Sequence, residues 1–182
     1  MLNLGYTRDD VHTQPSILRW IRAPAIINLA VSKEWNIWSG LGPLILDGRA
    51  SLESLNVCLM DDPILDHLIA ALTDTPALRL KTLTLCHRYY NANNSYHQTI
   101  SEAGMLALAK CKNLRGLKLC DVHFSQESLY AMVKERVKDA ASGLANFWTS
   151  RAIGSAKDEL EKLGVAVVDD LELYDEVWDD WS

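Results

Sequence analysis

Leu80-Lys81-Thr82-Leu83-Thr84-Leu85 decides the fold, because its spacing recurs in phase along the chain. Leu52-Glu53-Ser54-Leu55-Asn56-Val57 and Leu114-Arg115-Gly116-Leu117-Lys118-Leu119 share the pattern L-x-x-L-x-(L/V). On an extended strand successive side chains alternate between faces, so the last two apolar positions of each stretch share one face. Measured at the fourth position, Leu55 to Leu83 is 28 residues and Leu83 to Leu117 is 34. Upstream, Ile26-Ile27-Asn28-Leu29-Ala30-Val31 places Leu29 26 residues before Leu55, and Leu2 of Met1-Leu2-Asn3-Leu4 lies 27 before Leu29. Downstream, Leu144-Ala145-Asn146-Phe147-Trp148-Thr149 is a degenerate match 30 residues after Leu117.

Between these strands the signals turn helical. Asp61-Asp62-Pro63 supplies capping acids and a first-turn proline, and Ile64, Leu65, Leu68, Ile69 and Leu72 then form one apolar face. Ser101 caps a second helix with Met105, Leu106, Leu108 and Ala109 inward. Ser125 caps a third with a stripe of Leu129, Met132, Val133, Arg136 and Val137, and Gly143 is its expected stop. Ser155 and Asp158 have capping-box spacing before Leu160 and Leu163, Gly164 ends that helix, and 165–168 reads as a last strand. Pro15 to Ile21 reads as a short helix ending before Pro24. After Val31, the breakers Gly40, Gly42 and Pro43 argue against a long helix, with Trp35, Trp38, Leu41, Leu44 and Leu46 expected in the core.

A strand of this signature followed by a helix, at this period, resembles a leucine-rich repeat. The resemblance implies an α/β fold, a leucine-rich repeat solenoid. This is a right-handed α/β horseshoe with short parallel strands on the concave side and helices on the convex side. It would span residues 1–168 as five to six irregular repeats, with 169–182 as an acidic C-terminal tail or cap. The chain starts inside a strand signature with no polar capping unit, so it is expected to be the C-terminal portion of a longer protein.

Composition narrows the function. The chain has 182 residues, 48% of them hydrophobic, enough for one domain with a continuous core. No apolar run of 18 residues and no leader-like N-terminus is present, so no membrane partner is expected. The net charge of −6 argues against a nucleic-acid partner. Ten acids and two bases lie between Lys157 and Ser182, leaving residues 1–156 at +2. Cys58, Cys86, Cys111 and Cys120 lack paired zinc spacing and suit a reducing cytoplasmic or nuclear setting. Cys58, Cys86 and Cys120 each follow a signature, and Ser32 holds the same slot. Side by side they would form a column of small side chains, with no metal implied.

No G-x-S-x-G, Walker loop, G-x-G-x-x-G or H-E-x-x-H is present, and His12, His67, His87, His97 and His123 are scattered. Asp61-Asp62 is explained by capping. We therefore expect no catalytic residues, no cofactor, and a binding function. The residues between the signature leucines face the concave surface: Asn28, Ala30, Ser54, Asn56, Thr82, Thr84, Gly116 and Lys118. A second candidate is the 87–97 insertion, where Arg88, Tyr89, Tyr90 and Tyr96 have the composition of interface hot spots. The acidic end, with Leu171, Tyr174, Trp178 and Trp181 among its acids, reads as a solvated cap or as a short acidic-aromatic motif.

The run 100–111, continuing through Asn113-Leu114 to Leu119, resembles a unit of F-box leucine-rich proteins. Asp61-Asp62-Pro63-Ile64, 128–133 and 160–165 are similar to C-terminal regions of the fungal members. The resemblance implies a substrate-recognition segment of an F-box-type ubiquitin-ligase subunit, holding a protein partner on the concave face and the 87–97 loop. It implies a cullin-ligase adaptor as partner only if an F-box lies upstream, and none is visible in these residues. The family's cysteine slot here holds Met60, Arg88 and Val122, a departure from its pattern. The alternative is a stand-alone scaffold or inhibitor resembling ribonuclease-inhibitor-type repeats.

Overall fold

The computed structural model describes residues 2–4, 22–32, 37–59, 64–75, 78–87, 98–138 and 143–169. Strands β1 (Leu2–Leu4), β2 (Asn28–Ser32), β3 (Ser54–Leu59) and β4 (Thr82–His87) are followed by the short β5 (Gln98–Thr99). Then come β6 (Gly116–Cys120), β7 (Val122–His123), β8 (Asn146–Thr149) and β9 (Ala166–Asp169). The helices between them are α1 (Ile37–Gly48), α2 (Ile64–Asp74), α3 (Glu102–Ala107), α4 (Gln126–Val137) and α5 (Ser155–Lys162). This is an α/β fold around a parallel sheet whose strand order, β1-β2-β3-β4-β6-β8-β9, follows the chain. β5 and β7 form a separate parallel pair.

Register follows the leucines. Leu2 stands opposite Leu29, Leu29 opposite Leu55, Leu55 opposite Leu83, Leu83 opposite Leu117, and Leu117 opposite Phe147. Leu29, Leu55, Leu83, Leu117 and Phe147 are buried and join the inward side chains of all five helices in one core. Each such side chain contributes about 1.5–3 kcal/mol by leaving water. Just before each strand, one carbonyl accepts two N–H groups from the next rung. Ile27 O binds Glu53 N and Ser54 N at 2.8 and 3.1 Å, and Glu53 O binds Lys81 N and Thr82 N at 2.7 and 3.0 Å. Lys81 O and Arg115 O repeat the arrangement toward Arg115–Gly116 and Ala145–Asn146.

Several helical expectations need correction. α1 runs twelve residues with Pro43 inside it. The proline ring is exposed, whereas Leu41, Leu44, Ile45 and Gly48 are buried at helical spacing. An interior proline costs roughly 3 kcal/mol, and burying three large side chains at about 1.5–3 kcal/mol each outweighs it. Ile45 takes the core place expected for Leu46, which is 47% exposed; Trp35 and the Trp38 side chain lie outside the described residues. Leu106 and Val137 also point outward, at 45% and 41% exposure, because each falls at the margin of its helix stripe. The N-cap of α5 is Gly154 at φ 51, with no side-chain capping bond, so the Ser155–Asp158 box does not form. β9 covers 166–169, one residue later than expected. The expected 15–21 helix and the Asp61-Asp62-Pro63 cap lie outside the described residues.

Other expectations hold in atomic detail. Ser101 Oγ accepts from Gly104 N at 2.9 Å and Ser125 Oγ from Ser128 N at 3.3 Å. Gly164 at φ 83 closes α5: its N–H bonds Glu161 O at 2.9 Å while Val165 N reaches Leu160 O at 3.2 Å. That pair of bonds, with Leu160 and Val165 both buried, is a Schellman ending.

Two side chains bind successive helices together. Asp66 of α2 accepts from Ser101 N at 3.3 Å, reaching the start of α3 beside Gly104. A Cβ on Gly104 would collide with Asp66 Oδ1 and press on Ile100 Cγ2 at 3.3 Å. Arg136, 1% exposed on α4, donates to Leu108 O at 3.1 Å, to Cys111 O at 2.7 Å and to Leu114 O. Those carbonyls lie where α3 ends in a 3-10 turn, Leu108–Lys110, and leads into β6. A helix end leaves acceptors unsatisfied, and here a fork-shaped cation meets them.

Two outcomes test this packing. Arg136→Met lowers unfolding stability by about 3 kcal/mol or more in urea titration, because buried acceptors lose their donors; a loss below about 1 kcal/mol contradicts the role. Gly104→Ala alone destabilises, since Asp66 must swing away. In an Asp66→Ala background the same change turns neutral or stabilising, as alanine is preferred in helices by up to about 1 kcal/mol. Equal costs in both backgrounds contradict the collision.

Candidate partner-binding face

The face of the sheet opposite the core carries the sequence-predicted residues in matched rows. Asn28, Ser54, Thr82, Gly116, Asn146 and Ala166 stand in one row, each registered on the next. Ala30, Asn56, Thr84, Lys118, Trp148 and Val168 form the next. The structure therefore brings Asn28, Ser54, Asn56, Thr82, Thr84 and Lys118 onto one surface, though they span 90 residues of sequence. Alternation is the cause: the strands that turn leucines inward must turn these short side chains outward.

Exposure falls along the strands. In the first row Asn28 and Ala166 are exposed and Ser54, Thr82 and Asn146 half-buried. In the second row Ala30 and Thr84 are buried, Asn56, Lys118 and Trp148 half-buried, and Val168 exposed. In the third row Cys58, Cys86 and Cys120 are all buried and cluster with one another, apart from the main core. Ser32 pairs with Cys58, Cys58 with Cys86, and Cys86 with Cys120, so the expected thiol column exists. The accessible part of the face is thus its N-terminal side together with the β8–β9 end.

Trp148 was absent from the sequence-derived site, although it shares the register position of Lys118 and Thr84. Gly116 makes room for it: a Cβ there would lie 3.1 Å from Trp148 Cζ3 and 3.5 Å from Thr82 Cγ2. The indole consequently lies across the neighbouring strand instead of standing upright. Arg88, Tyr89, Tyr90 and Tyr96 lie outside the described residues, and only His87 of the 87–97 stretch is placed, buried at the end of β4.

Chemistry at the C-terminal side of the strands is that of closed thiols. The Cys86 thiol is held well above its ordinary value, first by its hydrogen bond with Cys120 and then by burial. Cys111, in the core near Arg136, is pushed up to about 11 by burial, with the guanidinium opposing. The same hydrogen bond lowers the Cys120 thiol, with burial opposing, whereas buried thiols of raised pKa such as Cys86 and Cys111 are poor nucleophiles at neutral pH. Beside the column, Asp121 sits at φ 53, and its N–H donates to Ser150 Oγ at 2.8 Å, which pins the turn after β6 to the end of β8. Among the described residues, no group of three or more His, Cys, Asp or Glu is placed to hold a metal ion. Nor is any described helix long and apolar enough to cross a membrane.

The chain matches no family model, no curated protein and no solved structure.

The burial of the column has a direct readout. Native protein treated with N-ethylmaleimide at pH 7 leaves Cys58, Cys86 and Cys120 unlabelled over a period that labels all three in urea, by peptide mass mapping. Native labelling at the urea rate would mean the third row is open to solvent.

Proposed function

We propose that this chain is a protein-protein interaction module, with the outward sheet face as its recognition surface and the 87–97 loop as a flanking contact. One observation carries the reading. Short polar side chains from successive strands are held in straight rows by a leucine register. Such a surface matches an extended polypeptide through many small hydrogen bonds, and Trp148 at its β8 end adds an aromatic anchor of the kind that dominates interface energetics.

The finer architecture we propose is a leucine-rich repeat horseshoe, with the outward face as its concave side. In-order parallel strands, 26–34 residue spacing and helices gathered on the core side support it. Within that architecture the resemblance to F-box leucine-rich proteins makes the chain the substrate-recognition segment of a ubiquitin-ligase subunit. A cullin-ligase adaptor is a partner only if an F-box lies upstream.

Affinity capture from cells, scored for cullin-ligase components, tests the assignment. Ser54→Arg with Asn56→Arg fills the face, and a second variant replaces Arg88, Tyr89, Tyr90 and Tyr96 by Ala. Each is expected to keep a cooperative unfolding transition and to lose the bound partner. An unchanged capture profile in both refutes the face. Partner capture with no cullin component favours the stand-alone scaffold.

A further inference from the structure

Charge on this chain is sorted by position. Residues 76–120 hold seven Lys and Arg against one acid, Glu102, whereas 170–182 hold six acids and no base. The bases gather at the N-terminal side of the sheet. Arg49, Arg79, Lys81, Lys112 and Arg115 are exposed in the segments leading into β3, β4 and β6, and Lys118 is half-buried on β6. Backbone bonds fix them as neighbours: Arg79 N reaches Arg49 O at 3.3 Å and Arg115 N reaches Lys81 O at 2.7 Å. Glu53 bridges into this band, 2.8 Å from Lys81, and both side chains are too exposed for the pair to cancel the band's field.

The acidic segment starts from a fixed point. Asp169 ends β9 and is gripped by Lys157 Nζ at 2.7 Å, which depresses the Asp169 pKa and raises that of Lys157. With Lys157 occupied, the helix side offers Asp158, Glu159 and Glu161, which repel further acids, and one further cation, Lys162, already bridged to Glu159 at 3.2 Å. The opposite side offers Val168, 41% exposed, then Trp148 and Lys118 in the same row. From Asp169 the band lies two to four strands away at about 4.8 Å each, and about four to eight residues back along them. Thirteen residues extend to about 43 Å, longer than that path.

We propose that residues 170–182 dock in cis on the basic band formed by Arg49, Arg79, Lys81, Lys112, Arg115 and Lys118, crossing the sheet face over Val168 and Trp148. The acids meet the cations of the rim, and Tyr174, Trp178 and Trp181 meet the apolar footing at β8–β9. The contact requires no bound partner, so it stands or falls separately from the recognition function.

Zero-length carbodiimide cross-linking of the full chain tests it, with peptide mapping of the monomer band. Lys81–Glu53 and Lys157–Asp169 are internal controls for successful coupling. Lys81, Lys112 or Lys118 is expected to couple to acids within 170–182. The yield should fall several-fold at 1 M salt, where screening acts over about 3 Å. Arg49→Glu with Arg79→Glu should lower it likewise while leaving every lysine in place. Control links without rim-to-tail links overturn the proposal. So do tail links as frequent at Lys134 and Lys138 of α4, or links confined to a dimer band.

Discussion

A slip of one residue between neighbouring strands would send every inward leucine to water and every outward polar group into the core. The structure depends on that register. Two independent devices hold it: the ladder from Leu29 to Phe147, and the carbonyls of Ile27, Glu53, Lys81 and Arg115, which each clamp two N–H groups of the next rung. The clamps lie on the N-terminal side of the sheet, where the outward face is most accessible. The same hydrogen bonds that set the fold therefore set the spacing of the candidate binding rows.

The helix side is less regular and is secured differently. α3 is only six residues long and passes into a tighter turn, so its end presents carbonyls that no further helical turn can satisfy. Arg136 supplies the donors from the following helix. A buried guanidinium needs polar partners to offset its lost hydration, and the acceptors left by the short helix provide them. At the other end of α3, Asp66 of the preceding helix accepts the N–H of the capping residue Ser101, a favourable place for a carboxylate. α3 is thus capped at both ends by its neighbours, and Gly104 is the residue that allows the closer approach.

Much of this was legible in the sequence, for a physical reason. Leucines repeating at two- and three-residue offsets with a regular period are buried together when parallel strands stack in a common register, and Leu55, Leu83 and Leu117 stand where that logic puts them. The outward rows followed from alternation, as did the thiol column. The failures share a cause as well. Pro43 argued locally against a helix that the burial of Leu41, Leu44 and Ile45 enforces. Arg136 sat in an apolar stripe, but its partners are backbone carbonyls, which leave no trace in residue type. Alternation gives the direction of Thr84 and Cys86 but not what lies over them, so their burial was not foreseeable. Trp148 was missed because its strand is a degenerate copy whose outward positions were not carried into the site.

The order of strands in the sheet is the order of strands in the chain. No outer strand is wedged between two that come earlier or later, so detaching β9 or β1 leaves every remaining ladder intact. Under tension applied at its ends, such a molecule yields by peeling, one rung at a time, and does not have to shear its whole sheet at once. Its resistance to pulling is accordingly set by the weakest single junction, whatever the total number of rungs.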